Sequence, residues 1–161
     1  MALRNGSGMI RHALVLAGLF AALALGFAWL LQFGFGFAPC ELCLWQRYPY
    51  VAILLLALLG LLTGWTRTAL GLVIAAFAVD AAIAWYHGGV EAGLFALPQS
   101  CGAIGRASTI EELRAQLTQA APACDQVGWT FLGLSLSVWN ALAATSMTAL
   151  LLAVLLSRAG R

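Results

Sequence analysis

Lysine is absent from the 161 residues, and charged residues of every kind make up only 9% of them. Soluble globular chains carry about 25% charged residues, so a water-exposed surface has little to be built from. Eight basic residues, all arginine, stand against six acids, for a net charge of +2. The arginines are scattered and form no basic cluster, which excludes nucleic acid as a partner. Glycine is plentiful, at 17 residues, but follows no collagen-like period. Hydrophobic residues reach 63%, where about 45–50% is usual. A chain this short cannot hide so much apolar surface from water, and the same excess excludes disorder. What remains is a membrane protein.

Roughly 20 apolar residues in a helix cross a bilayer core of about 30 Å. Runs of this kind occupy residues 13–31, 48–64, 68–86 and 134–156. The first has basic flanks, Arg4 and Arg11, and small residues at 21–24, as a secretory leader does. Its apolar stretch is long, however, and Phe27, Trp29 and Leu30 follow without a clear cleavage site. It reads as a retained helix. The expected architecture is a single domain over 1–161: an all-α membrane protein, a four-transmembrane-helix bundle with loops at 32–47 and 87–133.

Arg4, Arg11, Arg67, Arg158 and Arg161 fall on one side of such a bundle, and no acid joins them. Glu41, Glu91, Glu111, Glu112 and Asp125 fall on the other, with Arg47, Arg106 and Arg114. Positive-inside bias puts both termini in the cytoplasm. All four cysteines, Cys40, Cys43, Cys101 and Cys124, then lie on the outer side. In a bacterium that side is the oxidising periplasm, where disulfides persist.

Cys40-Glu41-Leu42-Cys43 straddles the start of the second span, just after Pro39. Amide dipoles at a helix start favour thiolate, and a CxxC placed there suits redox chemistry. An inert disulfide and half of a zinc site are the blander readings. A zinc knuckle wants a second close pair, yet Cys101 and Cys124 lie far apart, so no metal site is expected. Leu44 stands where a haem-attachment motif needs histidine. Arg47 follows Cys43 by four residues, on the same helical face. It can snorkel to lipid phosphate. It can also stabilise a neighbouring thiolate and donate hydrogen bonds to a carbonyl oxygen, and a hydrophobic quinone reaches that depth by diffusing in the bilayer.

The second outer loop carries Cys101 and Cys124, either a structural bridge or a second redox pair. Between them STIE at 108–111 reads as a capping box. Ile110, Leu113 and Leu117 line one face of a short amphipathic helix, lying on the membrane surface or packed on the protein itself. Gly102, Gly105, Ala121 and Pro122 suit a mobile arm around it. Asp80 lies inside the third span, where an ionisable group is a functional candidate or a hydrogen-bond partner for a neighbouring helix. His87, seven residues on, is either interfacial decoration or part of a quinone head-group pocket beside Arg47.

PCELCLWQR at 39–47 resembles the PCxLCxxxR signature of the DsbB family of disulfide bond formation proteins. Cys124 followed by WTFLG at 129–133 resembles the end of that family's second periplasmic loop. The resemblance spans nearly the whole chain. It implies a thiol:quinone oxidoreductase of the bacterial inner membrane. Such an enzyme reoxidises a periplasmic, thioredoxin-like oxidase of the DsbA kind and passes two electrons to ubiquinone or menaquinone, the relay that keeps the periplasm oxidising. By the same resemblance, Cys101 receives the partner's thiolate, and Cys124 exchanges with Cys40. Cys43 faces the quinone, supported by Arg47, and His87 falls near the family's histidine before the second loop.

Two cysteine pairs make physical sense in such a relay. The soluble partner is a strong oxidant, so an ordinary disulfide cannot reoxidise it without a quinone sink. One pair must reach water and the other the bilayer. The vitamin K epoxide reductase family is a rival, but its CxxC opens a later helix. A membrane scaffold pinned by two structural disulfides leaves Arg47 beside the CxxC without a purpose, and a four-thiolate metal module is the remaining alternative.

The arginine count yields a direct expectation. A reporter active only in the cytoplasm, fused after Arg67 or Arg161, is active, and one fused near Gln119 is silent. The opposite pattern reverses the orientation.

Overall fold

The computed structural model describes residues 2–98, 101, 109–111, 114 and 122–157, with side chains from residue 8 onward. Helix α1 runs over Ala2–Trp29 and widens into a π-type turn at Leu30–Gly34. A short α2, Glu41–Trp45, leads into α3, Arg47–Thr63. Helix α4 covers Thr66–Glu91, and α5 covers Leu136–Ser157. The described residues contain four helical stretches long and apolar enough to cross a membrane, and α2 and α3 together make one of them.

The break between α2 and α3 has a covalent cause. Pro49 has no N–H to return to the carbonyl of Trp45, and its ring crowds that carbonyl. The chain turns at Gln46 and restarts, which tilts the CxxC segment relative to the span beneath it. At the other end of α3, Gly64 adopts φ +82° and its N–H closes on the Gly60 carbonyl at 3.1 Å. The left-handed residue costs glycine nothing. It leaves a connection of only Gly64 and Trp65 before α4, so α3 and α4 pack as antiparallel neighbours.

Lipid tails are as apolar as leucine, so close packing and hydrogen bonds, rather than hydrophobic burial, hold such helices together. The buried stripe of α1 is Ile10, Leu14, Ala17, Ala21 and Leu25, at helical spacing. It meets Ile53 and Ala57 of α3, and Leu70, Val73 and Phe77 of α4. Many of these contacts are alanines, which let backbones approach. Gly60 takes this furthest, because a Cβ there would collide with the Cβ of Ala69. Large apolar side chains such as Leu19, Leu23, Leu55, Leu62 and Leu72 point outward and are exposed, as lipid contact requires.

The helices outrun the apolar stretches of the sequence, because they continue through the interfacial layer. The third ends at Glu91 rather than 86, so His87 is helical rather than the first residue of a loop. The fourth begins at Leu136 rather than 134. The two residues before it belong to a small antiparallel hairpin, β1 Thr130–Phe131 and β2 Leu134–Ser135. Leu132 and Gly133 turn it with φ of 52° and 79°, the signs of a type I′ turn. The FLG of the WTFLG motif is this turn. Of the amphipathic helix expected near 108–117, Ile110, Glu111 and Arg114 are helical and exposed, Thr109 is an exposed bend, and the rest lies outside the described residues. The loop glycines Gly102 and Gly105 and Ala121 also lie outside them; Pro122 is described and is not helical.

Gly60→Val is expected to lower stability in detergent by about 1–3 kcal/mol, the usual cost of overpacking. Gly18→Ala, whose new methyl meets the Ala57 Cβ at 3.5 Å, is expected to leave it unchanged or slightly raised. Thermal unfolding of the two purified variants checks the pair, and equal losses sink the close-approach account.

Candidate active site

Cys40 sits at the mouth of α2 with extended backbone, φ −73° and ψ 172°, and its sulfur accepts the Cys43 N–H at 3.2 Å. Cysteine thus acts as the N-cap, a place usually taken by serine or aspartate. The CxxC does straddle a helix start. Both of its thiols are free, Cys40 buried and Cys43 half-buried. Hydrogen bonding to the Cys43 sulfur, together with burial, pushes the Cys40 thiol above its ordinary range. Cys43 is the more accessible of the two.

The last turn of α4 covers Cys40. His87 Nε2 lies 3.6 Å from the Cys40 sulfur. Glu91, one turn on, brings Oε1 to 3.6 Å from the same nitrogen. The Glu91 carboxylate also accepts the hydroxyls of Ser135 and Ser137, which fastens the end of α4 to the hairpin and the start of α5. Glu91 was legible in the sequence only as an outer-side acid. Its spacing of four from His87 was the available signal.

Behind His87 a chain of amides continues inward. Gln46 Nε2 is 3.2 Å from His87 Nδ1, and Asn140 Nδ2 donates to Gln46 Oε1 at 3.3 Å. The same Asn140 nitrogen donates to Asp80 Oδ2 at 3.1 Å, and Tyr50 O–H donates to Asn140 Oδ1. Asp80, fully buried, is thereby hydrogen-bonded to a neighbouring helix, the blander of its two readings. Its Oδ1 meets no hydrogen-bond partner among the described residues. In the sequence Asn140 stood out only as a polar member of the fourth span, and nothing there paired it with Gln46, 94 residues away.

Cys101 and Cys124 form a disulfide with Cα atoms 5.4 Å apart. Both are buried, in one cluster with Cys40, Leu42 and Val90, against which Cys43 packs. The bridge is thus covered rather than open to attack, because it packs onto the CxxC. The two cysteine pairs share one cluster, and His87 lies beside Cys40.

Arg47 stands at the first position of α3, and its Nη1 donates to Gln32 Oε1 at 2.6 Å. The π-type turn presents that glutamine, a use such turns often have at functional sites. Arg47, Cys43, Cys40, His87 and Glu91 all face one cavity of about 500 Å3 between α1, α3, α4, α5 and the segment before the hairpin. Its remaining walls are largely apolar, from Phe20 and Leu23 to Phe27 and Trp129. Trp129 packs edge-on to Phe27 and stacks on Phe131 of the hairpin. A second cavity, about 460 Å3, lies on the other face of α2 and touches neither thiol.

The family model described as Disulfide bond formation protein DsbB matches residues 10–154. The chain belongs to the DsbB family. Among its relatives is a Disulfide bond formation protein B of Aromatoleum aromaticum, 34% identical over 140 residues, 80% of this chain and 82% of the relative. Disulfide bond formation protein B 2 of Pseudomonas syringae is 32% identical over 152 residues, 87% of this chain and 85% of the relative. A DsbB-family protein of Polaromonas extends the match to 95% of this chain at 30% identity. As a member of this family the chain is a multi-pass membrane protein of disulfide bond formation.

The unequal burial of the two DsbB-type thiols sets their reactivity. With the Cys101–Cys124 bridge intact, a soluble alkylating reagent at neutral pH is expected to modify Cys43 about tenfold or more faster than Cys40. Because the Cys40 thiol is pushed up, its own rate keeps rising as the pH is taken above neutrality. Peptide mapping after timed quenching reads both rates, and equal rates at neutral pH contradict the assignment.

Proposed function

We propose that the chain is a protein-thiol:quinone oxidoreductase that reoxidises a soluble periplasmic oxidase of the DsbA kind. In this reading it lies in the bacterial inner membrane, with both termini cytoplasmic and the cysteine loops periplasmic. The observation that carries the proposal is the single cavity in which an apolar lining ends on the CxxC and a guanidinium. A hydrophobic quinone fits such a space: its tail matches the apolar walls, and its carbonyl matches a donor such as Arg47.

Membrane quinone, ubiquinone or menaquinone, supplies an acceptor for two electrons and two protons. The chain's own residues do the rest. Cys101 takes the partner's thiolate, forming an intermolecular disulfide and releasing Cys124 as thiolate. The partner's second cysteine then closes its own disulfide and leaves Cys101 and Cys124 reduced. Their reoxidation is an exchange with the Cys40–Cys43 disulfide, in which Cys124 attacks Cys40 and Cys101 closes the bridge. The shared buried cluster supports that short transfer. The dithiol so formed at Cys40 and Cys43 gives up two electrons and two protons on returning to the disulfide. Cys101 is only 2% exposed, so docking of the partner must first uncover it.

Arg47 holds the quinone end of the cavity. It is already oriented by Gln32, and the guanidinium donates to a carbonyl more readily than it could if it had to be ordered on binding. His87 covers Cys40 from the opposite side and lines the same cavity.

Steady-state quinone reduction by purified protein, driven by a reduced DsbA-like partner, tests the proposal. Cys101→Ser abolishes the mixed disulfide but leaves Cys40–Cys43 oxidisable, and Cys43→Ser blocks electron delivery to quinone. Arg47→His raises the quinone KM and lowers kcat/KM on the order of 10–100-fold, for a lost charge-assisted hydrogen bond of about 1.5–3 kcal/mol. Lysine at that position falls between, since it keeps charge but not the fork. Full turnover in both cysteine variants would end the relay, and unchanged quinone kinetics in Arg47→His would leave Arg47 as a lipid anchor.

A further inference from the structure

His87 Nε2 lies 3.6 Å from the Cys40 sulfur and 3.6 Å from Glu91 Oε1. One ring nitrogen has one proton at most and cannot bond both. The second distance is too long for a hydrogen bond to oxygen at all. Cys43 completes the group: its sulfur, the Cys40 sulfur and a His87 nitrogen all lie within 4.8 Å of one another. All four residues face the same cavity.

These separations have another meaning. Around tetrahedral zinc, with Zn–S near 2.3 Å and Zn–N near 2.0–2.1 Å, a sulfur and a nitrogen ligand lie about 3.6 Å apart. A nitrogen and a carboxylate oxygen lie about 3.4 Å apart. Cys40, Cys43 and His87 thus stand near the spacing of three ligands of a coordination tetrahedron, and Glu91, 3.6 Å from His87 Nε2 but outside that group of three, is the nearest carboxylate. We propose that the reduced Cys40–Cys43 pair and His87 form a binding site for a thiophilic divalent cation of the Zn2+ class, with Glu91 moving in as the fourth ligand. Two thiolates and a carboxylate more than neutralise a divalent ion, and the imidazole supplies the neutral ligand. Softness selects the cation: thiolate and imidazole suit zinc, whereas magnesium and calcium want oxygen alone.

Binding needs three adjustments. Two thiol protons leave as the cation enters, with no change of oxidation state at sulfur. The Gln46 amide turns over, so that its oxygen rather than its nitrogen faces His87 Nδ1, the outer hydrogen bond a zinc-ligating histidine normally makes; this gives up the bond that its oxygen accepts from Asn140 Nδ2. The carboxylate of Glu91, held at Oε2 by Ser135 and Ser137, keeps Oε1 for the ion. The disulfide form has no thiolates to offer, so the site exists only in the reduced pair. A cation seated there holds the dithiol reduced and stops its oxidation. The site goes beyond the proposed electron relay, and its binding can be read without quinone or partner.

The test uses the full chain in detergent carrying Cys101→Ser and Cys124→Ser, so that Cys40 and Cys43 are the only thiols. Cobalt(II) is the probe, with zinc as competitor. The reduced protein is expected to bind one Co2+ per chain, with thiolate-to-metal absorption and the intense visible bands of a tetrahedral site, displaced by Zn2+. The oxidised protein shows none. His87→Ala weakens binding on the order of 100-fold, and Gln46→Leu about tenfold, the range typical of outer partners. Glu91→Gln, which keeps an acceptor for the two serines and serves where His87→Ala fails to fold, lowers affinity about tenfold or more. Binding that ignores both the His87 and Glu91 substitutions, weak bands of octahedral cobalt, or no stoichiometric binding each overturns the site, whatever becomes of the quinone activity.

Discussion

Asn140 hydrogen-bonds to three separate elements at once: Asp80 on α4, Tyr50 on α3, and Gln46 at the turn between α2 and α3. In a bilayer this is a strong constraint. Apolar surfaces slide past one another at little cost there, while an unsatisfied buried polar group costs several kcal/mol. The register of α3, α4 and α5 is therefore set by one amide. Asp80 and His87 share a face of α4, so the turn that satisfies Asp80 also carries His87 to Cys40.

The small residues around that anchor work in the same direction. Ala57 and Gly60 of α3, Ala69 of α4, and Ala141 and Ala144 of α5 bring the helix backbones close and keep the lower bundle dense. The break at Pro49, the π-type turn at Leu30–Gly34 and the hairpin before α5 interrupt regular structure. The cavity with the thiols is walled largely by apolar side chains, with the polar chain from Asn140 to Glu91 along one part. Irregular backbone at membrane depth is tolerated where it lines a cavity, as Leu31, Gln46 and Arg47 do.

The buried position of the Cys101–Cys124 bridge changes how its chemistry must be pictured. A covered disulfide beside the CxxC is well placed for exchange inward and poorly placed for attack from outside.

Much was legible before any folding. Charge scarcity and apolar runs determined four spans, CxxC followed by Arg47 pointed to the DsbB family, and arginine placement set an expected orientation. These depend on composition and on neighbours within one helical turn, which a sequence displays directly. The meeting of Glu91, Gln46 and Asn140 with His87 and with one another was not legible, nor were the hairpin at 130–135 and the packing of the two cysteine pairs. His87, which meets Cys40, stands more than forty residues beyond the CxxC, out of reach of any local spacing. Only the tertiary structure decided which polar groups meet, because in a membrane the partner of a buried polar side chain is chosen by helix register. That register is set by contacts between spans rather than within them.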